Sequence, residues 1–209
     1  VIAVAEHRVT TGCISGPQIP ELMADGPADV LYTVPPWGEG AMKMADLVNR
    51  RDSNGTFTPQ ISHTELYQHL REIIRTYVRG WVFIETGVQQ VDEVEEHMRI
   101  AGLCNRQSWI VTYQSGGMIR DCVLLKGHTE DWRELPHFNP MPFRGVQLAT
   151  YCLDCCNFPG GTVLDPCCGD GSTARAAIAT RMTFRGNDLN PKRAQRTGDY
   201  LKKAVNHHA

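Results

Sequence analysis

Residues 163 to 173, V-L-D-P-C-C-G-D-G-S-T, restrict the fold of this chain more than any other stretch. Val163 and Leu164 read as the end of a buried strand, and Gly169 and Gly171 free the backbone to turn tightly. Ser172 to Thr180 then reads as a helix. A strand that delivers a glycine loop to a helix N-terminus is the usual cradle for a nucleotide-like ligand. After a second short apolar run, Met182 to Gly186, an acidic residue follows at Asp188, where it could accept ribose hydroxyls. Gly169-x-Gly171-x-x-Ala174 also fits a dinucleotide fingerprint, and a purely structural turn between strand and helix would look the same. The rest of the chain has to separate these readings.

Strand-like and helical runs alternate along it. Residues 7 to 12 (H-R-V-T-T-G) give a short strand, followed by a connection punctuated by Pro17, Pro20, Gly26 and Pro27. Asp29 to Val34 is a compact apolar run of the kind buried in a parallel sheet. It meets Pro35-Pro36-Trp37-Gly38, where two prolines cannot donate ladder hydrogen bonds. The strand is expected to stop there and present the aromatic on a stiff loop. Residues 38 to 60 are Gly-rich and polar, the composition of a mobile segment or lid. His63 to Val78 has helical period, with Ser62 or Thr64 as cap, and Gly80 to Thr86 is a buried strand. Gln90 to Ala101 is a second amphipathic helix. Ser108 to Tyr113 and Met118 to Leu125 form strands joined by hairpin chemistry at residues 114 to 117. Residues 126 to 143 read as irregular, Gly145 to Cys156 as a helix, and Lys192 to Ala204 as a closing helix. The pattern predicts one α/β domain over residues 1 to 209. Its doubly wound, Rossmann-like sheet is mostly parallel, with a late antiparallel hairpin.

Composition narrows the function classes. No run approaches the ~18 apolar residues that span a bilayer, so the expectation is a soluble, intracellular chain, cytoplasmic or nuclear, with no membrane partner. A formal net charge of -2 argues against a general basic coat for nucleic acid, leaving local patches. Arg71, Arg75 and Arg79 fall at helical spacing and could line up on one face. The 8 cysteines read as free thiols. Cys152, Cys155 and Cys156, with Cys167 and Cys168 downstream, invite a zinc reading. They lie in a predicted helix and in the ligand loop, and no metal is expected.

Three segments stand in an informative order: T-V-P-P-W at 33 to 37, H-F-N-P-M-P at 137 to 142, and V-L-D-P-C-C-G-D-G-S-T at 163 to 173 with N-D-L-N-P at 187 to 191. This order resembles the permuted, class β, S-adenosylmethionine-dependent amino methyltransferases of adenine N6 or cytosine N4, in which the catalytic motif precedes the cofactor motif. The resemblance covers nearly the whole chain. It implies that Asp165, Cys167, Gly169, Gly171 and Ser172 surround the methionine part of the cofactor. Asp188 would bind the ribose, with Leu189 or Asn190 beside the adenine, and Phe138 and Pro140 would close over the methionine end. Val34, Pro35, Pro36 and Trp37 would form the target-base pocket, Trp37 stacking on the base. It also implies that the strand of the glycine loop neighbours the strand of the prolines.

The chain departs from that family at one place that matters for chemistry. The family's tetrapeptide begins with Asp, Asn or Ser, whose side chain accepts from the target amine, and here Val34 stands instead. Glu39, two residues past Trp37, is the nearest carboxylate on the same loop and the candidate substitute. Gly12-Cys13 occupies the place of the family's acid near the third strand, and Cys167 replaces a frequent aromatic, which suggests a roomier pocket. About a dozen residues separate the hairpin from the proline segment, too few for a separate target-recognition domain. The implied partners are therefore a nucleic acid, DNA ahead of RNA, and a second copy or partner subunit for target recognition. The activity implied is methyl transfer to an exocyclic base amine, adenine N6 ahead of cytosine N4. The alternative that Val34 permits is a non-catalytic relative that binds cofactor or partner. A nicotinamide dehydrogenase is the third reading, for which the Pro-Pro-Trp loop and the hairpin have no use.

Overall fold

The computed structural model describes residues 1–52, 61–115, 118–129, 135 and 137–208. In chain order the elements are β1 (Ile2–Val4), β2 (His7–Thr11), α1 (Gln18–Leu22), β3 (Ala28–Thr33), α2 (Gly38–Asp52), α3 (His63–Tyr77) and β4 (Val78–Gly87). A short 3-10 turn (Val88–Gln90) leads to α4 (Val91–Ile100), β5 (Cys104–Ser115), β6 (Met118–His128), α5 (Gly145–Cys156), β7 (Thr162–Asp165), α6 (Ser172–Ala179), β8 (Thr183–Asp188) and α7 (Pro191–His208). The strands form one sheet in the order β1-β2-β8-β7-β3-β4-β6-β5. From β2 to β4 all neighbours are parallel, and antiparallel partners close both edges. The expected α/β sheet with its late hairpin is observed, and β1 adds a second antiparallel edge. β7 pairs directly with β3, so the glycine loop and the prolines do leave adjacent strands.

Strand alternation explains how helices cover both faces. Val30, Tyr32, Trp81, Phe83 and Val163 point to one side, where α5 and α6 bury Leu148, Cys152, Leu153, Ala174 and Ala177. Leu31, Val82, Ile84 and Leu164 point to the other, against Leu66, Leu70, Ile73 and Ile74 of α3. Both faces of β3 are therefore buried, and all six of its residues are shielded from water. α3 starts at a capping box: Ser62 Oγ accepts from the Glu65 amide at 3.2 Å, and Glu65 Oε2 accepts from the Ser62 amide at 2.7 Å.

Four sequence expectations need correction. Residues 38 to 52, expected to be irregular, form helix α2, while 53 to 60 lie outside the described residues. The paired glycines at its start hide α2 from propensity, but tertiary bonds hold its ends. Gly38 N donates to His63 Nε2 at 3.0 Å, and Asn49 and Asp52 at the other end accept from Asn190. The three arginines share no helix face, because α3 ends at Tyr77. Arg79 sits on β4, where its guanidinium pairs with Asp29 at 2.7 Å, and Arg71 and Arg75 both reach Glu72. The connection after β2 contains α1, which buries Ile19 and Leu22. β6 runs on to His128, into the stretch expected to be irregular. No helix among the described residues is long and apolar enough to cross a membrane.

Candidate functional site

The site lies at the C-terminal edge of the parallel strands, where the loops after β7, β8, β3 and β4 converge. Asp165 ends β7 and is fully enclosed. Its Oδ1 accepts from Thr33 Oγ1 at 2.8 Å and from the Cys167 amide at 3.1 Å, and its Oδ2 accepts from Thr173 Oγ1 at 2.6 Å. Burial pushes its carboxyl up to about 6 despite those bonds. Through them Asp165 ties the glycine loop to both β3 and α6. The turn itself is shaped by left-handed glycines, Gly169 at φ 51° and Gly171 at φ 86°. A Cβ at Gly171 would come within 2.8 Å of Thr197 Oγ1 on α7, a hydroxyl that donates to the Gly169 carbonyl at 3.1 Å. Glycine at 171 is thus required by conformation and by space. Ser172 is exposed at the first position of α6, and Cys167 is half-buried.

Asp188 faces this loop from the end of β8. Its Oδ2 accepts from the Gly169 amide at 2.7 Å and its Oδ1 from the Asn190 amide at 2.8 Å. Burial raises its pKa above the ordinary carboxylate value. Each oxygen keeps a lone pair beyond these bonds, which suits a pair of hydroxyl donors. Gly12 N, beside the edge of β8, donates to the Asp188 carbonyl at 3.1 Å. Leu189 packs against the α3-side core. Asn190 does more than flank a ligand: its Oδ1 caps α7 by accepting from Lys192 N and Arg193 N. Its Nδ2 donates to Asn49 Oδ1 at 2.8 Å and Asp52 Oδ2 at 2.9 Å. Helix α2 therefore starts at the Pro-Pro-Trp loop and ends latched to the Asp188 loop.

On the β3 side, Val34, Pro36 and Trp37 are half-buried and Pro35 is buried. The Trp37 indole N–H donates to the Glu85 carbonyl at 3.2 Å, and its ring meets Tyr113 edge to face at 4.8 Å. Gly87 leaves room for it, since a Cβ there would lie 3.2 Å from Trp37 Cβ. Thr33 is turned to Asp165 and is not offered to the crevice. Glu39 is exposed on the first turn of α2. Phe138 packs on Phe83, Trp109 and Tyr151, with centroids 5.7, 4.9 and 5.3 Å away. Pro140 is buried in the same segment. The structure thus brings Asp165, Cys167, Gly169, Gly171 and Asp188 together and sets Val34 to Trp37 beside them, with Phe138 over the β4 and β5 side. Sequence reasoning missed Glu85, buried at the end of β4 with Tyr32 OH donating to its Oε1 at 2.5 Å. An acid closing the apolar run G-W-V-F-I-E-T was the available signal. No group of three or more His, Cys, Asp or Glu able to hold a metal occurs among the described residues.

No family model matches the chain, and no curated protein matches it either. Solved structures do. M1.HpyAVI superposes with a TM-score of 0.66 at 12% identity, covering 93% of this chain and 98% of that one. It has also been solved as a complex with SAM. TTHA0409 from Thermus thermophilus, complexed with S-adenosyl-L-methionine, gives a TM-score of 0.60 at 18% identity over 95% of this chain and 94% of that one. PvuII DNA methyltransferase (cytosine-N4-specific) gives 0.62 at 10% identity over 97% of this chain and 94% of that one. At these identities the likeness establishes the shared fold, a Rossmann-like α/β sheet spanning nearly the full length of each partner.

Proposed function

We propose that this chain is an S-adenosylmethionine-dependent methyltransferase of the permuted amino class, acting on an exocyclic amine of a base in DNA, adenine N6 ahead of cytosine N4. The observation that carries the reading is the pairing of β7 with β3, braced by the Asp165–Thr33 hydrogen bond, which sets the glycine loop beside the Pro-Pro-Trp loop. The solved structures of similar fold add support, since two of them hold S-adenosylmethionine and another is a cytosine-N4-specific DNA methyltransferase.

The residues present fit the cofactor. When bound, S-adenosylmethionine supplies a methyl group on a positively charged sulfur. Asp188, with a spare lone pair on each oxygen, would take the ribose hydroxyls. Gly169, whose missing Cβ would meet nothing within 4 Å, leaves open space beside the loop. The role of the protein is then largely positional, because transfer of an activated methyl requires in-line alignment of nitrogen and carbon. Trp37, anchored through its indole N–H, would offer its face to a base flipped from the duplex and replace lost stacking. Target selection would come from a second copy or a partner chain, with residues 1 to 209 acting as one catalytic unit.

A second reading, a cofactor-binding subunit without transferase activity, is favoured by one observation, the valine at 34. Calorimetry with S-adenosylmethionine, S-adenosylhomocysteine and NAD tests the cofactor class. Tritiated methyl transfer to unmodified genomic DNA, RNA and nucleosides then tests the chemistry. Incorporation into DNA that Trp37→Ala abolishes is the expected result. Cofactor binding without incorporation into any acceptor would establish the subunit reading, and binding of NAD alone would remove both.

A further inference from the structure

The missing acceptor at Val34 and a missing donor nearby occur side by side. Thr33 pairs with Ile84 across the parallel ladder, so the next residues of the two strands, Val34 and Glu85, are neighbours as β3 leaves the sheet. Alternation turns Tyr32 and Glu85 to the same face, where the Tyr32 hydroxyl occupies Glu85 Oε1. Glu85 Oε2 is buried and has no hydrogen-bond partner among the described residues. A buried carboxylate oxygen normally has a donor, and one left without it calls for a reason. Trp37 is bonded to the backbone carbonyl of this same residue. The acid without a donor therefore belongs to the residue whose backbone anchors the aromatic assigned to the base. Asp165 already accepts from Thr33, the Cys167 amide and Thr173, Asp188 is assigned to the ribose, and Glu39 points to solvent on α2.

We propose that Glu85 Oε2 accepts the N–H of the target amine, filling from β4 the role that Val34 cannot fill from β3. This rests on the methyltransferase reading above. A ring amine is a weak nucleophile because its lone pair is delocalised, and an acceptor on its N–H favours the pyramidal form that develops during transfer. As the nitrogen lone pair forms the new N–C bond, the C–S electron pair stays on sulfur. The nitrogen then sheds one proton to Oε2, leaving a neutral methylated amine and a neutral carboxyl. Tyr32 fixes the orientation of the acid by holding the other oxygen. The buried carboxyl, lifted to about 7, is suited to take up a proton and release it near neutrality.

The test uses the full chain with unmodified genomic DNA in single turnover. Glu85→Gln should slow transfer ~100-fold, the scale of losing one group that stabilises developing charge, while S-adenosylmethionine affinity by calorimetry stays within about twofold. With S-adenosylmethionine saturating at every pH, it should also abolish the fall in rate expected of the wild type as the pH drops below 7. Tyr32→Phe/Glu85→Leu removes both partners together and keeps the core satisfied, and it should be equally slow. Val34→Asp placed in the Glu85→Gln background should restore at least about tenfold, which a purely structural acid would not permit. A Glu85→Gln protein with the wild-type rate and pH profile, or no recovery from Val34→Asp, overturns the proposal. A wild type that binds cofactor yet methylates no acceptor removes the catalytic reading and this inference with it.

Discussion

Glutamine at position 85 should make the protein progressively more stable than wild type as the pH rises. Burial lifts the Glu85 carboxyl from its ordinary 4.5 to about 7; the Tyr32 hydrogen bond opposes the rise and the negative Asp165 adds to it. The folded chain thus holds this proton more tightly than the unfolded chain. The corresponding stability is fully present below about pH 4.5 and is lost as the pH passes through 7. Each factor of ten in a protonation equilibrium is worth ~1.4 kcal/mol, so the whole effect is about 3 kcal/mol, of which about 2–3 kcal/mol falls between pH 5 and pH 8. Glutamine keeps a carbonyl for the Tyr32 hydroxyl and cannot ionise. Its unpaired amide costs ~1–3 kcal/mol at every pH, which offsets the two proteins by a constant. Asp165 also titrates in this window; it is present in both proteins, and its repulsion with Glu85 is already contained in the Glu85 shift. At ~2–4 °C per kcal/mol for a chain of this size, the Tm difference should move in favour of Glu85→Gln by about 5–10 °C from pH 5 to pH 8. Melting both proteins by circular dichroism at four pH values reads this directly. Tm curves that stay parallel would refute the reasoning, since the acid would then ionise alike in both states.

The two loop glycines should differ in sensitivity. Gly169→Ala faces open space and should cost ~1 kcal/mol for its left-handed backbone, while Gly171→Ala adds a collision with Thr197 and should cost at least about 2 kcal/mol and weaken cofactor binding in calorimetry. Asn190→Ala removes the α7 cap and the latch on α2; it should cost about 2 kcal/mol and speed hydrogen exchange across residues 38 to 52, whereas Lys192→Ala should not. Affinity for S-adenosylmethionine should fall about tenfold from pH 8 to pH 5, because a cation favours the ionised form of Asp165. S-adenosylhomocysteine, without the sulfonium charge, should change less, and equal slopes for the two would exclude that cause.

The parallel centre of the sheet was legible because its strands are buried on both faces and appear as unbroken apolar runs, as in D-V-L-Y-T-V and W-V-F-I. The glycine turn was legible because backbone conformation restricts residue type at Gly169 and Gly171. Helix α2 was not, since Gly38 and Gly40 carry low propensity and its ends are fixed by His63 and Asn190, partners that adjacent sequence does not reveal. The resemblance puts Leu189 or Asn190 beside the adenine, while the Asn190 side-chain bonds to α2 and to the start of α7 have no signal in the sequence. Arg71 to Arg79 matched a helical period that the chain abandons at Tyr77, where β4 begins without an intervening loop. Glu85 went unnoticed, because the significance of an acid in that apolar run depends on the register between β3 and β4, which no local pattern encodes.

Asp165, Asp188 and Glu85 share a property that bears on the ligand. All three are buried at the C-terminal edge of the sheet, burial raises the pKa of each, and none forms an ion pair among the described residues. Their hydrogen-bond partners are hydroxyls and backbone amides, which carry no full positive charge, although Arg193 eases the cost at Asp188 through space. Neutral residues of similar size would satisfy the same space at lower cost, so stability alone does not account for three acids in one crevice. A pyrophosphate brought to this loop would meet carboxylates at Asp165 and Asp188, with Asp170 beside them, and would be repelled. A ligand carrying a sulfonium and an ammonium would instead lower the cost of keeping those acids ionised, and binding would stabilise the crevice that holds it. The same glycine fingerprint that admits a dinucleotide by spacing therefore disfavours one by charge.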